Sequence, residues 1–334
     1  MQKDFHYHIA YVLAKLAGYD QKQRAIIAYA SQYVDDNTDR KYVVSDAYGE
    51  FFADFPDYVA ADGKRFYPII TQVDGIDYSK LATQKYVYAP FHFLPAGEED
   101  SKNDVLIDGV RNPFCTIRGC DNAVELLASA IKSNDPYLLG IALHTYADTW
   151  AHEKFTAFQE DWNKNRKPLT AKRLGPEVGH AQFLHDPDEI SKTWTDYRFG
   201  DDYKVNNTER ALECIRASYK VLKPVGVWDD VKAGFEQIVQ APNSAYRMDV
   251  IKQTHPEIPF YDENLWINEA LGFKRDLSEV PKPDPSGTSG ETGTKNPRFV
   301  EVSFKGNFAE SHWHKFQLAA KKQLASVLNM VRIL

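Results

Sequence analysis

Residues 138–155 read LLGIALHTYADTWAHEKF, and no other stretch limits the fold as much. Leu139, Ile141, Leu143, Tyr146, Trp150 and Ala151 spread round a helical axis on nearly every side, so they predict a helix buried all round. Yet His144, Asp148 and His152 recur at intervals of four. At about 100° per residue they fall within an arc of about 80°, each about 6 Å further along the axis. Imidazoles and carboxylates in such a setting need partners. On one face they can converge on a metal, with Asp148 in the middle placed to bridge two ions. The competing reading is a hydrogen-bonded core network, which suits a lone His–Asp pair better than a stripe over three turns.

The rest of the chain is that of a globular protein with a thick core. Its 334 residues are 43% apolar and 26% charged, with 19 Tyr, 19 Phe and 6 Trp. Asp4 is placed to cap a helix that stops at Gly18, and a second helix starts near Asp20 and ends at YVDDNTD. Residues 41–110 read as irregular. Within them Pro90 and Pro95 predict an extended or looped YVYAPFHFLPAG at 86–97. Helices are expected at about 121–133 and 136–160, within GPEVGHAQFLHDPDE at 175–189, and over 206–222. The Pro-, Gly- and Ser-rich 280–297 predicts a mobile loop, and FVEVSF at 299–304 a short strand. From Phe308 an amphipathic helix carries Trp313, Phe316, Ala320, Leu324 and Val327 at core spacing. The expectation is an all-α, multi-helix bundle with long irregular loops and minor β. It has one helical metal-binding domain over 1–279, a flexible loop over 280–297, and a strand and helix over 298–334 on the same domain.

Charge and composition exclude several roles. A net charge of −7 makes a long nucleic acid an unlikely partner, while a small anionic or phosphate-containing substrate can still be held through bound metal ions. No run of 18 apolar residues predicts a membrane span. Lys15 interrupts the first apolar run, so no secretory signal is read. Cys115, Cys120 and Cys214 form no CxxC pair, which argues against a thiolate zinc site and for a reducing, cytoplasmic setting. Nothing in the sequence sets an oligomeric state.

Other candidate ligands lie on both sides of the central helix. His6 shares a face with Ala10, Leu13 and Ala17 and is expected to point inward, whereas His8 shares a face with Lys15 and is expected to meet solvent. Asp36 lies on the Ala25, Tyr29 and Tyr33 face. Asp35 is about 100° away, and fraying at a helix end can bring either inward. His92 sits between prolines, and His180, His185, Asp186 and Asp188 crowd one segment. Together these supply N and O ligands for two or three zinc-like ions, with iron or manganese also suited.

In order and spacing these residues resemble the zinc-dependent phospholipase C and single-strand-specific nuclease superfamily, over about residues 1–225. The matching residues are His6 in DFHYH, Asp35 or Asp36 in YVDD, His92 in PFHF, His144 and Asp148 in LHTYAD, and His152 in TWAH. The short Asp148–His152 spacing is closer to a divergent lipid-anchor-cleaving branch than to the secreted phospholipases. The resemblance implies a phospholipase C/nuclease-like bundle holding three zincs and cleaving phosphodiesters through metal-bound hydroxide. Asp36 or Asp35, His92 and His144 would complete one ion, and His152, His180 and Asp188 another. Asp148 and Asp36 would be the catalytic carboxylates. The Met1 amine is a weaker candidate ligand, with Asp4 the alternative. The family's last pair is His with an acid four residues on; here position 184 is Leu, so His180 must find Asp186, Asp188 or His185. Arg111 or Arg198 could clamp a phosphate, although surface placement is the default for both. Three alternatives stand beside this reading: a non-catalytic protein with a partial metal site, an HD-type phosphohydrolase on His185–Asp186, and a di-metal oxygenase.

Overall fold

The computed structural model describes residues 1–38, 41–44, 65–66, 68–73, 78–167, 175–276 and 299–331. A π-wound turn, Asp4–Ile9, runs on into α1 (Ala10–Ala17), which stops at Gly18. Asp20 opens α2 (Gln21–Asp36) with a capping box, its carboxylate accepting from Gln23 N–H while the Gln23 side chain accepts from Asp20 N–H. Strands β1 (Lys41–Val44) and β2 (Arg65–Phe66) follow. Helix α3 covers 81–91 as two α-helical ends, Leu81–Thr83 and Ala89–Phe91, around a π turn, Gln84–Tyr88. Next come α4 (Asp121–Ser133) and α5 (Pro136–Ala151). Asp135 starts α5 by accepting from the N–H groups of Tyr137 and Leu138 at 3.0 and 3.3 Å, with Pro136 in the first turn. The hairpin β3 (Thr193–Thr195) and β4 (Lys204–Asn206) leads into α6 (Asn207–Leu222), α7 (Asp229–Val239) and α8 (Ser244–Thr254). Last are α9 (Leu265–Ala270), β5 (Leu271–Asp276), β6 (Phe299–Phe304) and α10 (His312–Val331).

Contacts divide the chain into two units, one of 1–37, 71–261 and 319–334, the other of 38–70 and 262–318. In the first, α5 is the central element and packs on α2, α4 and α6. Gly140 permits the close approach of α2. A Cβ there would lie 2.4 Å from Ile27 O and 2.7 Å from Ala30 Cβ, so only hydrogen leaves room for α2. A cluster built on Phe155, Phe183, Trp194 and Phe93 lies under the loops that follow α5. The second unit holds a four-stranded sheet in the order β2-β1-β6-β5. In it β1 runs antiparallel to β2 and parallel to β6, which is antiparallel to β5, with a bulge between Phe273 and Arg275.

The molecule is therefore mainly helical with a small β content, as expected, and 299–304 is a strand. The division at 279 is not the one contacts draw, because strands from 41–66 pair with strands from 271–304. The expected loop at 280–297 lies outside the described residues. Residues 81–91 are helical despite Pro90. The π turn carries Ala89 N–H to Gln84 O, five residues back, and this wider winding lets the proline ring clear the preceding carbonyl. Over 175–189 the expected helix reduces to one 3-10 turn, Ala181–Phe183. α5 ends at Ala151, not near 160, with His152 as its C-cap. His8 is buried, not solvent-facing. It lies in the π-wound turn, where each residue advances by less than the 100° on which its outward phase was counted. Among the described residues no helix is long and apolar enough to cross a membrane.

Candidate metal centre

Asp148, 1% exposed on the inner face of α5, is the hub of the site. Its Oδ1 lies 2.7 Å from the Met1 nitrogen and 3.1 Å from His6 Nε2. Its Oδ2 lies 3.1 Å from His144 Nε2, 3.2 Å from His92 Nδ1 and 3.6 Å from His152 Nδ1. Asp35, at the end of α2, stands 3.8 Å from His144 Nε2 and 3.9 Å from His92 Nδ1. Asp188 sets Oδ1 3.0 Å from His152 Nε2 and 3.4 Å from the Met1 nitrogen, and Oδ2 3.4 Å from His180 Nε2. Three groups result whose ligand atoms lie within 4.8 Å of one another: His6–His144–Asp148, Asp35–His92–His144 and His152–His180–Asp188. Burial is uneven. The side chains of His6 and His144 are 1% and 0% exposed, those of Asp35 and His180 26% and 19%, so the cluster opens toward the latter pair.

Four imidazoles are oriented by main-chain carbonyls. His144 Nδ1 donates to Ser31 O at 2.8 Å, His92 Nε2 to Thr71 O at 2.7 Å, His152 Nδ1 to His92 O at 2.8 Å, and His180 Nδ1 to Leu184 O at 2.8 Å. A carbonyl only accepts, so each of these nitrogens carries the proton and the neutral ring's other nitrogen is a lone pair. Those lone pairs face carboxylate oxygens and one another; His144 Nε2 and His92 Nδ1 are 3.3 Å apart. Acceptors crowded on acceptors repel unless a cation sits among them. Imidazole nitrogens with carboxylate oxygens, each ring held by a carbonyl behind it, are a donor set that suits zinc, and iron or manganese as well. The residues thus fit a metal cluster.

The electrostatics differ from ring to ring: at His92 burial opposes the charge, but the hydrogen bond and charge of Asp148 outweigh it and raise the imidazole above its ordinary range. Burial, with His144 and the α-ammonium, holds His6 well below the ordinary imidazole range. Burial also takes His180 down to about 4. His6 stacks on His144 with centroids 3.8 Å apart, which two imidazoliums would resist. For Asp148 burial opposes ionisation, but His152, the α-ammonium and His144 outweigh it and hold the carboxyl well below its ordinary range. Asp188 is held down likewise by His180, the α-ammonium and His152 against its burial. Burial pushes Asp35 up. At Met1 burial opposes the charge, yet Asp148, Asp188 and Asp35 hold the ammonium up to about 11. Coordination through that nitrogen would therefore expel a proton.

Several expected residues lie elsewhere. Asp36 joins none of the three groups; its Oδ2 accepts from Tyr261 Oη at 2.5 Å and from Gln32 Nε2 at 3.1 Å, so the expected catalytic and ligand roles do not follow from its position. One residue along the helix turns it away from the face that Asp35 presents to α5. His185 is exposed, and Asp186 pairs with Lys192 Nζ at 2.6 Å, so the HD doublet is not brought to the cluster. Asp4 is buried against Arg247, which removes it as the alternative to Met1. Arg198 is buried, not at the surface. It is bidentate to Asp196 at 2.9 and 2.6 Å and lies 3.7 Å over the Phe155 ring, so it has no free fork for phosphate. Arg111 is exposed.

Position 184 shapes the His180 end of the cluster. Leu184 adopts φ 55°, ψ −125° after Phe183, the first central position of a type II′ turn closed by Asp186 N–H to Phe183 O at 3.1 Å. The turn offers His180 a backbone carbonyl, and the carboxylate beside its other nitrogen comes from Asp188. Gly179 stands beside it at φ +50°, with Phe93 so near that a Cβ would fall 2.4 Å from its Cζ. Phe93 in turn stacks on His152 at 4.6 Å. The carbonyls of Ser31, Thr71 and Leu184 were not legible beforehand, because main-chain groups leave no mark in a sequence.

No curated protein and no solved structure matches the chain. A family profile does, over residues 1–331, and the chain belongs to that family, described as a family of unknown function, DUF6765.

Proposed function

We propose that this chain is a metal-dependent hydrolase of phosphodiester bonds, of the kind represented by the zinc-dependent phospholipase C and nuclease superfamily. The observation that supports it most is the set of four carbonyl-tethered imidazoles, His92, His144, His152 and His180, whose other nitrogens face Asp148, Asp188 and Asp35. Asp35, His92 and His144 would hold one ion, His152, His180 and Asp188 a second, and His6 with Asp148 and the Met1 nitrogen a third. Bound zinc would supply Lewis acidity and a water acidic enough to ionise near pH 7. The chain's own part is to hold these ligands rigidly. His6 and His144 do so from the closed side, while Asp35 and His180 border the side where a small anionic substrate enters. Asp148 shares its two oxygens between groups, so its charge ties them into one centre.

The test is elemental analysis of the purified protein together with hydrolysis of a chromogenic phosphodiester. Stoichiometric zinc and turnover that drops at least about 100-fold in Asp148→Asn are expected. Full activity in that variant refutes the assignment. A metal-free, inactive wild type points to the non-catalytic alternative, and bound iron with near-ultraviolet absorbance to oxygenase chemistry.

A further inference from the structure

We infer that Thr71 is a positioning residue for the metal centre, the clip that sets Asp35 and His92 in register; this rests on the metal reading above. Thr71 is fully buried and lies just after the segment 38–70, which belongs to the other unit. Its hydroxyl donates to Val34 O at 2.7 Å and accepts from Asn37 Nδ2 at 3.2 Å. The N–H groups of Thr71 and Gln72 both donate to Asn37 O, at 3.1 and 3.2 Å. These bonds grip the last turn of α2 on both sides of Asp35. Val34 O is one of the carbonyls that a helix end leaves without an intrahelical donor, and the Thr71 hydroxyl supplies one. The carbonyl of the same residue then accepts from His92 Nε2 at 2.7 Å, which fixes the proton there and turns Nδ1 toward Asp148 and Asp35. One side chain and its own carbonyl thus join two ligands that are far apart in sequence. Loss of a group that orients a ligand from behind typically costs about 10–100-fold in metal affinity.

Thr71→Val keeps the shape and the main chain and deletes the hydroxyl. Thr71→Ser restores it. Cobalt is the probe, read by its visible absorption and by titration of the metal-free protein. The expected result is that Thr71→Val loses about 10–100-fold in affinity for one cobalt ion, with a changed band, and that Thr71→Ser recovers both. Asn37→Ala, which spares the bond to Val34, gives a smaller loss and serves if Thr71→Val does not fold. Wild-type cobalt binding with unchanged affinity and spectrum in both Thr71→Val and Asn37→Ala overturns the inference, as does equal loss in Thr71→Ser and Thr71→Val. A wild-type protein that takes up no cobalt refutes the metal reading itself, and this inference with it.

Discussion

At the scale of single residues, the centre relies on backbone geometry as much as on side chains, and Leu184 shows the cost. A leucine at φ 55° occupies a position that glycine dominates, and its side chain is 53% exposed, so packing does not offset the strain. Leu184→Gly should raise stability by about 1 kcal/mol, the relieved strain exceeding glycine's added unfolded-state entropy. Metal content should be unchanged, because the carbonyl to His180 remains. Thermal melting with elemental analysis checks both, and a lower melting temperature would contradict the strain argument. The candidate ligands themselves were legible in the sequence, since His and Asp at helical spacing in apolar surroundings are conspicuous. The choice between Asp35 and Asp36 was not, because neighbouring residues differ only in phase at a helix end. His8 shows the same limit, for a π-wound turn breaks the phase on which its outward side was assigned, whereas His6 is buried as its face predicts.

At the scale of elements, the distance between α2 and α5 sets the site. The closeness allowed at Gly140 brings Ser31 O to His144 and Asp35 to the cluster. In an exposed helix, Gly→Ala stabilises by about 1 kcal/mol. Here it should destabilise by about 1–3 kcal/mol, because the added methyl meets main chain that cannot move aside cheaply. Gly140→Ala should also weaken the ion assigned to Asp35, His92 and His144. Chemical denaturation and a metal titration measure the two effects, and a stabilised Gly140→Ala would show that the helices are free to part. The sequence marked α2, α4, α6 and the start of α5 well, largely through apolar period, but ran α5 on past Ala151. It misplaced 81–91 and 175–189, where a π turn and a left-handed leucine override local propensity.

At the scale of the molecule, β6 was legible as a strand, but β1 lies in a stretch that reads as irregular, and their pairing was not legible. The parallel partner of β1 begins at Phe299, and nothing local announces that Lys41 will lie opposite it. The candidate centre is long-range in the same sense. It gathers Met1, His6, Asp35, His92, His144, Asp148, His152, His180 and Asp188, and its orienting carbonyls come from residues 31, 71, 92 and 184. This has a kinetic consequence. No short segment offers a finished ligand set, so the folding transition state is expected to lack one, and ions should act after the rate-limiting step. Zinc in excess should therefore leave the refolding rate nearly unchanged and slow unfolding, by about 100-fold for a site held at 100 times its dissociation constant. Stopped-flow refolding and unfolding with and without chelator would measure this. Refolding accelerated by zinc would mean instead that the ligands meet early and that the metal helps to guide the chain.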